Sequence, residues 1–110
     1  MSSLKEVHTL EEFEAAISTG AKTLVFYHAT WCQPCQGISP FVDSLKKTYG
    51  ETVTFLKVDV DFNQETAAYA DVQEMPTFKF YRRNYQVDVL IGTNKEGLQT
   101  KLERFAQSAK

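Results

Sequence analysis

Both cysteines of the chain, Cys32 and Cys35, fall within one Cys-x-x-Cys stretch, so no disulfide inside the molecule can staple distant segments together. The fold has to rest on a hydrophobic core, and 110 residues are enough to bury one as a single domain spanning 1–110. The stretch Ala29-Thr30-Trp31-Cys32-Gln33-Pro34-Cys35 follows a near-continuous apolar run, Thr23 to Ala29, expected of a strand covered on both faces. After it comes a helical pattern from Pro34 to Tyr49, with Ile38, Phe41, Val42, Leu45 and Tyr49 on one stripe and Gly50 as its stop. A thiol at such a strand-to-helix junction lies near helix N-terminal amides, which favour thiolate over thiol. Cys32 is therefore expected to be the nucleophile. Cys35, three residues further on, is expected to be the resolving thiol, and Pro34 is tolerated because the first helical turn does not need its N–H.

Other readings of the pair exist. Two cysteines at this spacing can form half of a zinc site, with His8 and His28 as nominal further ligands, or can be inert core thiols. The histidines are single and distant in sequence, whereas zinc sites usually show a second close ligand pair. Trp31 and Pro34 suit an exposed redox turn better than a core. Redox chemistry with no metal is the preferred reading.

Charge excludes other classes. The net charge is −2 with both signs interspersed, and the Arg82-Arg83 pair is too short to suggest nucleic acid or an anionic membrane as a partner. The first residues, Met1 to Glu6, lack the apolar stretch of a signal peptide, and no run is long enough to cross a bilayer. A soluble, cytoplasmic protein is expected, a setting in which a cysteine pair is more often catalytic than structural.

The rest of the pattern points to an α/β fold. Leu4 to His8 reads as a short edge strand. Thr9 to Glu12 has the form of a capping box, followed by Phe13, Ala16 and Ile17 at helical spacing up to Gly20. Val53 to Val60 is a second strong strand, and Asp61 to Ala70 a shorter helix with Ala67, Ala68 and Tyr69 inward. This alternation argues for parallel strands flanked by helices. Beyond Met75-Pro76, Thr77 to Tyr81 and Val87 to Ile91 read as an antiparallel hairpin, and Asn94 caps a last helix from Lys95 to about Ala109.

At this point the chain resembles the thioredoxins over nearly its whole length. The matching residues are Ala29 to Cys35, Pro40-Phe41, Val58-Asp59-Val60-Asp61, Met75-Pro76-Thr77-Phe78 and Gly92-Thr93-Asn94-Lys95. The resemblance implies a thioredoxin fold, a central mixed sheet of about five strands with four helices, and a dithiol that reduces protein disulfides through a transient mixed disulfide at Cys32. It implies no bound cofactor. The pair would be recharged by a thioredoxin reductase using NADPH, and the protein is expected to act as a monomer on disulfide-containing proteins. Pro76 matches the family's cis-proline, and the Met75 backbone would pair with an extended substrate. Trp31, Gln33, Pro34, Val60, Met75, Pro76, Ile91, Gly92 and Thr93 match the substrate-facing surface, and Asp61 is the acid to which the Trp31 indole would donate. The plain alternative for Asp61 is a helix cap.

Two positions depart from the family pattern. Gln33 stands where most members carry Gly, which bears on the redox couple and leaves room for a less reducing, isomerase-like protein. Phe26 stands where the family usually has a buried Asp that exchanges a proton with the resolving thiol. His28, on the same face two residues nearer the strand end, and Lys57 on the neighbouring strand are the candidates for that proton exchange. A binding module with incidental thiols is the alternative of a different class.

Overall fold

The computed structural model describes residues 3–109; Met1, Ser2 and Lys110, the ends of the expected 1–110 unit, lie outside them. The elements run β1 (Lys5–Glu6), α1 (Leu10–Ile17), β2 (Lys22–His28), α2 (Gln33–Tyr49), β3 (Val53–Asp59), α3 (Gln64–Tyr69), β4 (Thr77–Arg82), β5 (Tyr85–Ile91) and α4 (Lys95–Gln107). The strands form one mixed sheet in the order β1-β3-β2-β4-β5. Strands β1, β3 and β2 are parallel, while β4 runs antiparallel to β2 and to β5.

The central position of β2 explains its apolar run, because alternate side chains enter two different cores. Leu24 and Phe26 join Phe78 and Phe80 beneath α2 and α4, which contribute Cys35, Ile38, Val42, Leu45, Leu98, Leu102 and Phe105. Val25 and Tyr27 face the other way, with Leu56, Val58 and Tyr81 against Phe13 and Ile17 of α1. Each large side chain so buried is worth about 1.5–3 kcal/mol, so both faces hold β2 in place.

Capping follows the expected chemistry with one shift. The Glu12 N–H donates to the Thr9 hydroxyl at 3.0 Å, but the Glu12 carboxylate reaches the N–H of His8 at 2.7 Å. Helix α2 continues through Pro40 as one helix, and the Gly50 N–H closes it on the Lys46 carbonyl at 2.8 Å.

Several boundaries differ from the sequence expectation. Strand β1 keeps only two residues of the expected Leu4–His8. Helix α3 starts at Gln64 with Asn63 as its cap, and it turns Thr66 and Ala67 inward while Ala68 and Tyr69 are exposed. The hairpin turn is only Arg83-Asn84, both at positive φ (50° and 77°), and β5 begins at Tyr85. Helix α4 ends at Gln107, short of the expected Ala109, and Ala106 packs against the core.

Candidate active site

Cys32 is the N-cap of α2 because the chain leaves β2 at His28 and turns sharply, the Cys32 N–H bonding back to the Ala29 carbonyl at 3.1 Å. The first helical bond runs from the Gln36 N–H to the Cys32 carbonyl at 3.2 Å. The Cys35 N–H donates to Cys32 Sγ at 3.2 Å, so a free amide of the helix end points at the sulfur. No acid in the first turn of α2 offsets that field. The two cysteines are joined as a disulfide.

Exposure does not separate them. Cys32 is 4% exposed and Cys35 3%, so the expectation of an exposed redox turn holds for its neighbours Trp31, Gln33 and Pro34 and fails for the sulfur-bearing residues. What distinguishes the cysteines is their surroundings. Cys32 meets the helix amides, whereas Cys35 lines a half-open pocket.

The Trp31 indole is 64% exposed, and its Nε1–H donates to Asp61 Oδ2 at 2.6 Å. Asp61 does not cap α3, since the Asn63 side chain accepts the Thr66 N–H in that role at 3.3 Å. Asp59 organises the turn between them, its Oδ1 accepting the N–H groups of Asp61 and Phe62 at 2.9 and 3.1 Å.

Around the cysteines, the ends of four strands converge. The Val60 N–H bonds to the His28 carbonyl at 2.9 Å, tying the end of β3 to the end of β2. Val60 and Met75 pack on the core that contains both cysteines. The Met75–Pro76 bond is cis and Pro76 is buried. Its carbonyl accepts the Gly92 N–H at 2.9 Å, which joins the start of β4 to the end of β5. Gly92 has φ 107°, a conformation that favours glycine at this link. Ile91 and Thr93 on either side are exposed.

Beside Cys35 is a half-open cavity of about 230 Å³ lined by Phe26, His28, Ala29, Thr30, Cys35, Gln36, Ser39 and Lys57. The Phe26 ring stacks on Phe78 at 4.9 Å and lies 5.4 Å from the His28 ring. In the sheet, Phe26 is registered with Lys57 on one side and Phe78 on the other. His28 Nε2 is buried and has no hydrogen-bond partner among the described residues. Burial pushes the His28 pKa down, and Lys57 adds to this, while Glu6 and Asp59 oppose it. Lys57 Nζ lies 3.8 Å from the Glu6 carboxylate. Glu6 was not among the residues expected here; only the parallel pairing of β1 with β3, which sets Glu6 opposite Lys57, brings it in.

The zinc alternative finds no support in this arrangement. Among the described residues no three His, Cys, Asp or Glu side chains are grouped to hold a metal ion, and His8 instead lies beside Glu12 and edge-on to Phe62. Among the same residues, no helix is long and apolar enough to cross a membrane.

Known proteins with this arrangement are similar in sequence as well. The family model described as Thioredoxin matches residues 5–104. Thioredoxin of Ophiophagus hannah is 41% identical over 104 residues, covering 93% of this chain and 98% of that protein. The solved thioredoxin of Plasmodium falciparum superposes with a TM-score of 0.88 at 38% identity, covering 92% of this chain and 98% of that one. A structure from work on thiol resolution in a yeast mitochondrial 1-Cys peroxiredoxin via glutathione/thioredoxin systems superposes at 0.87 with 30% identity, covering 92% of this chain and 94% of that one. With a disulfide-forming pair at the head of α2 and relatives near 40% identity over almost its full length, this chain belongs to the thioredoxin family and is a thiol–disulfide oxidoreductase with protein-disulfide reductase activity.

Proposed function

We propose that Cys32 is the attacking thiol and Cys35 the resolving thiol of a cytosolic, monomeric electron carrier for protein disulfides. The observation that carries this order is Cys32 at the N-cap of α2, its Sγ taking the Cys35 N–H where no acid offsets the helix field. The Cys32 thiolate attacks one substrate sulfur, forms a mixed disulfide and releases the first substrate thiolate. Cys35 then attacks Cys32 Sγ, the bond from Cys32 to the substrate breaks, and the second substrate thiolate leaves. The Cys32–Cys35 disulfide that remains is the state described above.

The substrate-facing surface is Trp31, Gln33, Pro34, Val60, Met75, Pro76, Ile91, Gly92 and Thr93. An extended substrate segment lies along it and pairs with the Met75 backbone as an added strand. The Gly92-to-Pro76 hydrogen bond supports this reading by holding the two loop ends at one place. Recharging requires two electrons from outside, assigned to a thioredoxin reductase drawing on NADPH. The peroxiredoxin named with one similar structure makes a peroxiredoxin disulfide a substrate to try first.

Cys35→Ser tests the order of attack. It should abolish turnover and leave a stable mixed disulfide at Cys32 with insulin, detected by mass spectrometry. Absence of any adduct would overturn the assignment. Insulin reduction is then compared with dithiothreitol and with NADPH plus thioredoxin reductase as electron source, and activity with dithiothreitol alone would replace the partner while keeping the chemistry.

A further inference from the structure

We infer that His28 is the base that takes the proton of the Cys35 thiol across the pocket that both residues line. This rests on Cys35 being the resolving thiol. Only a thiolate attacks a mixed disulfide, and an apolar wall such as the stacked Phe26–Phe78 pair favours the neutral thiol. A base is therefore needed on the cavity side of Cys35.

The groups that face this cavity leave one candidate. Lys57, from β3, lies beside the Glu6 carboxylate at 3.8 Å, and an ammonium has donors only. Glu6, from β1, also receives the Asp59 N–H at 3.2 Å, and Asp59 is occupied by the amides of Asp61 and Phe62. Neither acid lines the cavity, and from α2 it is lined by Cys35 and the neutral side chains of Gln36 and Ser39. Among the described residues His28 alone brings a buried ring nitrogen without a partner, and such a nitrogen is costly unless something uses it. A cavity of about 230 Å³ is roomy enough for water to bridge imidazole and thiol. Burial keeps the imidazole neutral near pH 7, the form that accepts a proton.

The step balances. His28 accepts the Cys35 proton, the Cys35 thiolate bonds to Cys32 Sγ, and the substrate sulfur leaves with the electron pair of the broken bond. The imidazolium returns its proton to that leaving thiolate or to water. When an outside dithiol later opens the Cys32–Cys35 disulfide, the same proton path runs backwards to Cys35.

The test follows the reduced protein reacting with a symmetrical nitrobenzoate disulfide whose released thiolate is coloured. Attack by Cys32 gives a first, concentration-dependent phase, and attack by Cys35 gives a second, unimolecular one. His28→Gln should leave the first phase unchanged and slow the second roughly 10²-fold at neutral pH, the low end for a positioned general base. The parent's second phase should level off above the imidazole pKa, whereas that of the variant should keep rising about tenfold per pH unit, because only free thiolate then reacts. Phe26→Asp in the His28→Gln background should restore rate by supplying another base. An unchanged second phase in His28→Gln overturns the inference, as does Lys57→Met removing the plateau while His28→Gln retains it. A Cys35→Ser protein that releases no thiolate in the fast first phase, while Cys32→Ser releases one equivalent at the parent's rate, would instead bring down the underlying assignment of the cysteines. Should His28→Gln fold poorly, a measurement on the parent alone decides the same question. The ring-proton resonance of His28 is titrated in oxidised and reduced protein, and a second inflection is expected only after reduction frees the Cys35 thiol; superimposable curves overturn the inference.

Discussion

Tyr27 and His28 are neighbours on β2, and the pleat sends them to opposite faces of the sheet. Tyr27 is fully buried, and its hydroxyl shares a 2.8 Å hydrogen bond with that of Tyr81. Burial drives the Tyr27 phenol far above its ordinary range and pushes Tyr81 up to about 12, so neither ionises near neutrality. His28 is half-buried, its Nε2 has no partner among the described residues, and burial moves it down from 6.5, toward its neutral form. A buried polar group that is closed by its neighbour fixes β2 against β4. One that is left open beside a cavity and a cysteine is where a proton can move. Burial alone does not mark the functional group, nor does a missing partner, which the buried Thr66 hydroxyl shares; the missing partner beside a cavity and a cysteine does.

The largest effect should come from closing the open side. Phe26→Asp places a carboxyl opposite Lys57 in the sheet register, but removes the ring stacked on Phe78. Loss of a buried Phe and the desolvation of its replacement should cost about 3–5 kcal/mol, read as a large drop in the thermal midpoint. Disulfide reduction near neutral pH should nevertheless become faster. A variant no faster than the parent would show that proton transfer to Cys35 does not limit turnover.

Opening the closed side should cost less and leave the chemistry alone. Tyr27→Phe strands the Tyr81 hydroxyl in the core, a penalty of about 1–3 kcal/mol, and the double change Tyr27→Phe with Tyr81→Phe should recover part of it. Reduction of insulin by either variant should match the parent. A slowed rate would join the two faces and break the comparison.

The contrast between these residues was only half legible in the sequence. The apolar run of β2, the capping residues Thr9 and Asn94 and the helical stripe of α2 carry strong local signals, and each formed where its pattern predicts. The Arg83-Asn84 turn was missed because Arg is an unusual residue at positive φ, and Tyr85 and Gln86 extend β5 through pairing with β4 and not through burial. Asn63 displaced Asp61 as the α3 cap because Asp59, from the end of β3, already binds the Asp61 and Phe62 amides and carries the chain one turn further. At the site, His28 and Phe26 were readable from the two-residue period of a strand. Glu6 was not, since its approach to Lys57 depends on which strands become neighbours.

An exposed polar pair calibrates the two buried ones. The Trp31–Asp61 hydrogen bond lies at the surface, so Asp61→Ala should cost no more than about 1 kcal/mol. It should change Trp31 fluorescence while leaving α3 intact. Asn63→Ala should do the reverse, weakening α3 by about 1 kcal/mol with Trp31 emission unchanged. Equal fluorescence shifts in both variants would return Asp61 to a capping role.

The smallest effect is the pH dependence of stability, where the neighbours on β2 again part. The folded pKa of His28 lies below its unfolded value of 6.5, because burial opposes the charged form. Above 6.5 both states are neutral at this residue and its full contribution is present. As pH falls below 6.5 the unfolded chain binds a proton that the folded one resists, so stability declines until the pH passes through the depressed folded value. Carboxylates titrate mainly near pH 4, leaving an interval below 6.5 in which the histidine slope stands out. The thermal midpoint of the parent should fall across that interval, and His28→Gln should flatten the fall. Tyr27→Phe, lowered in stability at every pH here, should keep the parent's slope, because a phenol raised by burial exchanges no proton on the acid side. A His28→Gln protein with the parent's full slope would mean that the imidazole titrates alike in both states, and the cavity beside Cys35 would then be no drier for it than open water.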